Sequence, residues 1–221
     1  MLASGDWGSA MRIATVLGAA GLLAGCNSVV STTPLFSVKD AQGQPQLRSG
    51  VWLDENAPCD FDRGKPVSEW PGCATGWVVR PGVVMAFAGT DPPNPGQTRY
   101  RFVLAKGDPV TVQVTLDDGG GAPPTYAYMG LRPLKLDAQG RVIEYKMWMA
   151  LCGPPPPPDP TGEHDATTTR QPIDGLLMDA SKHDCVASAQ GPVRESVRRS
   201  EAWSRDDKGR DRALWVRDGE R

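Results

Sequence analysis

The stretch Val110–Leu116 (VTVQVTL) decides the fold. Val110, Val112, Val114 and Leu116 alternate with Thr111, Gln113 and Thr115, the period-2 pattern of a strand with one apolar and one polar face. An amphipathic helix would place its apolar residues three and four apart. Upstream, Tyr100, Phe102 and Leu104 alternate with Arg99, Arg101 and Val103, and residues 76–80 (GWVVR) and 83–88 (VVMAFA) flank Pro81-Gly82, a hairpin signal. Downstream, residues 117–121 (DDGGG) turn the chain into Tyr126, Tyr128 and Leu131. Residues 137–140 (DAQG) turn it again into 141–151, where Ile143, Tyr145, Met147, Met149 and Leu151 share one face. Strands recur every roughly 8–14 residues, with no helix of useful length between them, which excludes a parallel α/β sheet. The expectation is a mainly β fold: an antiparallel meander, sandwich or small barrel with one wet face, a short C-terminal helix and long Pro/Gly-rich loops.

The flanks fill in the plan. Residues 47–53 (LRSGVWL) open the domain as a short strand, and 58–74 form an irregular loop. Residues 153–172 (GPPPPPDPTGEHDATTTRQP) are of low complexity, and their five-proline run reads as polyproline II on a surface loop. Residues 175–185 suggest a helical turn. Residues 192–205 are the helix candidate, with Pro192 in the first turn and Val193 and Val197 four apart. Residues 213–217 (ALWVR) return as a last strand.

Composition narrows the function classes. The 221 residues include 25 Gly and 21 Pro, about a fifth of the chain, which disfavours a helical bundle or coiled coil. Lys and Arg number 24 against 26 Asp and Glu, a net charge of −2. No basic excess exists to neutralise phosphates, so a nucleic-acid partner is not expected.

The amino terminus carries an address. Arg12 precedes twelve uncharged, mostly apolar residues, 13–24, and then Gly25 and Cys26. This is a secretory signal with a short apolar region, well under the ~20 residues of a permanent membrane span. Leu23-Ala24-Gly25-Cys26 resembles the lipobox of bacterial lipoproteins. That resemblance implies recognition of Leu23, Ala24 and Gly25 by a signal peptidase. It also implies a diacylglycerol on the Cys26 thiol and an N-acyl chain, such as palmitate, on the new amino terminus. Two or three acyl chains anchor a protein stably where one does so only marginally. The expected location is the periplasmic face of the outer membrane, because Asn27 stands where such proteins carry Asp when kept at the inner membrane. Residues 1–10 hold Asp6 where a basic region belongs, so Met11 reads as the start. The domain plan is a signal peptide over 1–25, lipidated Cys26 with a flexible tether over 26–46 whose residues 34–36 (PLF) dock on the domain, and a single β-rich domain over 47–221.

Five cysteines stand at 26, 59, 73, 152 and 185. Lipidation of Cys26 leaves four, and an oxidising compartment favours two disulfides. Of the three pairings, Cys59–Cys73 with Cys152–Cys185 is the most local and is the expected one. Trp52, residues 59–62 (CDFD), 70–74 (WPGCA), 152–154 (CGP) and 215–219 (WVRDG) also resemble a set of small envelope lipoproteins of GC-rich Gram-negative bacteria. No activity comes with that resemblance.

No motif of an enzyme stands out. GxSxG, GxxxxGK[ST], HExxH and GxGxxG do not occur. His183-Asp184-Cys185 and His164 lack the paired close spacing of a zinc site, so neither metal nor cofactor is expected beyond the covalent lipid. Asp117/Asp118 and Asp206/Asp207 read as turn residues. Asp60/Asp62 read as turn formers too, the alternative being a carboxylate-dependent hydrolase in the Cys59–Cys73 loop. Trp52, Trp77, Tyr100, Tyr126, Tyr128, Tyr145 and Trp148 lie on or beside strands, as core or as the lining of a barrel holding a lipid or glycan. The expected role is a non-enzymatic envelope domain that binds or scaffolds a protein partner, with apolar-ligand binding the alternative.

Overall fold

The computed structural model describes residues 27–55, 60–87, 98–116, 121, 123–155, 171–180, 183–204 and 212–219. Its strands are β1 (Val29–Ser31), β2 (Gly50–Asp54), β3 (Gly76–Arg80), β4 (Val83–Ala86), β5 (Thr98–Ala105), β6 (Val110–Leu116), β7 (Thr125–Leu136), β8 (Val142–Met149), β9 (Leu176–Met178), β10 (Cys185–Ala187) and β11 (Arg212–Arg217), with helix α1 (Gln190–Trp203). Neighbours run β6-β5-β4-β3-β2-β11-β8-β7, and β7 pairs back onto β6. Eight antiparallel strands therefore close into a barrel, and β11 returns from the far end of the sequence to lie between β8 and β2. Closure pairs the backbone groups that an open sheet would leave at its edges.

The period-2 reading of 110–116 sets the barrel interior. Val110, Val112 and Val114 join Leu104, Leu131 and Val142 inside. The expected wet face is where the structure differs. Thr111 and Gln113 point outward and yet are 1% and 3% exposed. A second core lies over them, built from the N-terminal segment, β10, part of β9 and α1. Gln113 Oε1 accepts the backbone N–H groups of Leu35 (2.8 Å) and Phe36 (2.9 Å), and its Nε2 donates to the Phe36 carbonyl (3.0 Å). A buried amide so satisfied is tolerated, which is how a polar residue came to stand at a covered position. A third core forms where Val67 and Trp70 cover Val51, Leu53, Val78 and Met85 on the outside of β2–β4. With both faces of several strands covered, burial no longer follows a period of two. On β8 the buried residues are Val142, Tyr145 and Trp148.

Two expectations are corrected here. Residues 26–46 are not simply a tether: Val29 is 0% and Phe36 3% exposed, and β1 pairs with β7 on one side and β10 on the other. The polar composition of the segment hid this, because its polar groups bond the domain and Val29, Leu35 and Phe36 fill the second core. The described residues of 175–185 form no helical turn either; they supply β9 and the start of β10, held by the pairing of Cys185 with Met178.

Helix α1 begins at Gln190 with Pro192 in its first turn. It buries Val193 and Val197, each worth about 1.5–3 kcal/mol, and also two serines. Ser196 Oγ donates to the Leu151 carbonyl (2.7 Å), Ser200 Oγ accepts the Leu151 N–H (2.9 Å), and Trp148 Nε1 donates to the Val197 carbonyl (2.9 Å). Arg132 grips Glu201 with two hydrogen bonds of 2.6 and 2.7 Å. Two glycines are dictated by this packing. Gly82 turns the β3–β4 hairpin at φ +70°, a conformation that L side chains avoid. Gly130 leaves room for Trp148, whose indole ring occupies the place of any Cβ at 130.

Candidate functional site

The barrel interior is graded along its axis. Its middle is filled by aromatic rings: Trp52 lies 5.0 Å from Tyr145, and Trp77 lies 6.5 Å from Tyr145 with the two rings 27° apart. The Tyr145 phenol is pushed well above its usual range by burial, the Asp54 charge adding to the rise and a hydrogen bond with Trp77 opposing it. Such a group stays neutral at any physiological pH.

One end of the barrel is enclosed. Trp52, Val79, Leu104, Val110, Leu131 and Val142 there are at most 3% exposed. The segment before β2 runs alongside the start of β8, with Leu47 bridged to Val142. Arg48 lies 3.5 Å over the Trp215 ring, and its Nη2 stands 2.8 Å from Asp218 and its Nη1 3.8 Å from Asp137. Arg141 pairs with Asp137 from the other side at 2.7 Å. Burial pushes the Asp137 carboxyl up, but hydrogen bonds from the Arg141 backbone and side chain and the Gln139 N–H outweigh it and leave the group below the usual carboxylate range. The hydrogen bond from Arg48 lowers Asp218 in the same way.

The end where β3, β5 and β7 begin and β4, β6 and β8 finish holds the partly buried part of the described interior. Trp77, Tyr100, Phe102, Leu116, Met129 and Met147 belong to the interior cluster yet are only partly buried. Register puts them on one inner wall: Tyr100 neighbours Val84, Phe102 pairs with Val114, Val112 with Met129 and Leu131 with Met147. Flexible thioethers and flat rings on a partly solvated wall adapt to apolar molecules of varied shape. An eight-stranded barrel has an interior just wide enough for its own side chains or one small ligand.

The aromatic residues named from the sequence divide between the two sides of the wall. Trp52, Trp77, Tyr100 and Tyr145 belong to the barrel interior. Tyr126, Tyr128 and Trp148 belong to the outer core, where the Tyr128 hydroxyl lies 2.6 Å from Ser31 Oγ. Phe102, Leu116, Met129 and Met147 complete the partly buried interior without having been singled out as lining. The signal for the first two was present, since they share strand parity with Tyr100 and Val114. The alternation put Met147 on the face of Tyr145, whereas Met129 needed the register of β6, β7 and β8.

Cys152 and Cys185 form a disulfide with Cα atoms 5.5 Å apart, tying the end of β8 to β10. Cys73 is also disulfide-bonded, to a cysteine outside the described residues; Cys59 lies outside them, as do Leu23, Ala24, Gly25 and Cys26. His164, Asp117/Asp118, Asp206/Asp207 and most of the Pro-rich run lie outside them too. Asp62 Oδ1 accepts the Gly64 N–H at 2.9 Å, the bond of a turn former. Asp184 Oδ1 accepts the Ser28 N–H at 2.9 Å, a structural use of the His183-Asp184-Cys185 run. Among the described residues no three His, Cys, Asp or Glu side chains come together as a metal site, and no helix is long and apolar enough to cross a membrane.

Fold and interior together define the class: a closed eight-stranded antiparallel barrel with a second core strapped to its outside. No protein-family model, curated protein or solved structure matches the chain.

Proposed function

We propose that this chain is a lipoprotein, exported and anchored through Cys26 to the periplasmic face of the outer membrane, whose barrel is a non-catalytic binding domain. The ligand is an apolar molecule, a lipid acyl chain by preference over a glycan, received at the partly buried end. One observation carries the reading: Trp77, Tyr100, Phe102, Leu116, Met129 and Met147 belong to the barrel interior and yet are only partly buried. A barrel built only as a scaffold gains nothing from leaving Phe102, Leu116 and Met129 partly in water. The lipobox carries the anchoring half of the proposal.

Two experiments test it. Intact mass of the protein extracted from membranes is expected to show cleavage before Cys26 and the added acyl mass, with Cys26→Ser losing both. Titration of the purified domain with a C16 fatty acid, followed by tryptophan fluorescence, is expected to saturate at one equivalent. Leu116→Arg, at a partly exposed position, is expected to weaken that binding at least tenfold with the circular dichroism unchanged. Absence of saturable binding would return the barrel to the scaffolding role, with an envelope protein as its partner.

A further inference from the structure

We infer that the small sheet β1–β10–β9 rests on the bilayer that holds Cys26, through an apolar row made by Val30, Val186 and Leu177. This inference rests on the lipoprotein reading above and adds an orientation to it. Two observations lead there. First, the chain has no slack after the anchor. Asn27, the residue next to Cys26, is 2% exposed. Its backbone N–H bonds the His183 carbonyl, its carbonyl accepts the Cys152 N–H at 2.7 Å, and its side-chain Nδ2 donates to the Gly153 carbonyl at 3.3 Å. Ser28 and Val29 follow, 4% and 0% exposed. A lipid on the preceding residue is therefore fixed to the body of the domain and not to a flexible leader.

Second, the sheet beside this point has one covered face and one uncovered one. Val29, Cys185, Ala187 and Leu176 pack in the outer core beneath α1. The alternating residues face the other way. Val30 pairs with Val186, and Val186 with Leu177, so the three stand side by side across the strands. Val30 and Val186 are half-buried, and Leu177 is 73% exposed. Strands lie ~4.8 Å apart, so Leu177 is ~10 Å from β1. Val30 lies four chain steps beyond Cys26, at most ~14 Å of extended chain. The row thus lies within one short reach of the acyl chains, and the locked Asn27 prevents the domain from swinging far from them. Leu177 in the headgroup region removes from water the most exposed side chain of the row.

The test uses the full-length acylated protein in vesicles of phosphatidylethanolamine and phosphatidylglycerol, with acylation verified by intact mass. Amide hydrogen exchange of residues 176–178 is expected to be at least fivefold slower than in the Cys26→Ser protein mixed with the same vesicles. Leu177→Asp, at an exposed position that the fold does not need, is expected to abolish the slowing while acylation persists. Val38→Asp, at a site 80% exposed, is expected to leave it intact. An acylated protein whose 176–178 amides exchange at the unanchored rate overturns the orientation and leaves the lipoprotein reading standing. A protein without acyl mass overturns both.

Discussion

The two ends of the barrel are built from the same alternation and do opposite things. At the enclosed end the inward residues are aliphatic or fully buried, and Arg48, Asp137, Asp218 and Arg141 form an ion-paired cluster beside them. At the other end the inward residues are mainly rings and thioethers and are only partly buried. The difference teaches that inward orientation, which a period of two specifies, is not the same as burial. Burial is decided by what packs beside each strand end, and the segment that pairs with the start of β8 lies far from β8 in the chain.

The contrast can be broken from either side. The largest effect belongs to Trp52→Ala at the edge of the enclosed half, where the ring is 0% exposed and lies tilted against Tyr145, 5.0 Å away. Urea unfolding is expected to show a loss of about 3–5 kcal/mol, the usual cost of emptying an enclosed aromatic site. Phe102→Ala, in the partly buried half, is expected to cost about 1–2 kcal/mol in the same assay, because solvent already reaches part of the site. It is also expected to weaken fatty-acid binding, which a change confined to the enclosed half leaves alone. Equal losses for the two variants would erase the distinction between the ends.

The smallest effect sharpens the account of the ion-paired cluster. Asp137 and Asp218 both titrate below the ordinary carboxylate range. Their stabilisation is therefore present above the unfolded-state pKa of ~3.9 and lost as pH falls through the lower folded values. The urea midpoint is expected to drop as pH falls below ~4, and Asp137→Asn is expected to make that drop shallower. Asp184 works against the trend. Burial raises its carboxyl, so its contribution favours the fold on the acid side and fades as pH rises through that value.

Much of the barrel was legible beforehand. The strands at 76–80, 110–116 and 213–217 stand close to where alternation put them, because each has a side facing the interior and a turn-forming run beside it. The partly buried interior was legible in part: Tyr100 and Trp77 were named and Met147 was placed on the face of Tyr145, whereas Met129 was not named, since on β7 both faces are covered and the pattern loses its period. β1, β9 and β10 were misread for a related reason. Three-residue strands carry too few alternations to register, and Ser31, whose hydroxyl reaches the Tyr128 hydroxyl, looks like linker composition until that partner is known.

The sequence alone determined the strand-rich class, the antiparallel connectivity and the hairpin turns, since these follow from side-chain alternation and local backbone preference between near neighbours. It also carried Leu23-Ala24-Gly25-Cys26, whose resemblance to a lipobox is a local chemical signal. Only the tertiary structure decided that the sheet closes, that β11 is the closing strand, that residues 29–36 belong to the domain and that one end is enclosed. Each of these depends on contacts between segments far apart in the chain, and no local pattern records which distant surface will cover a given face.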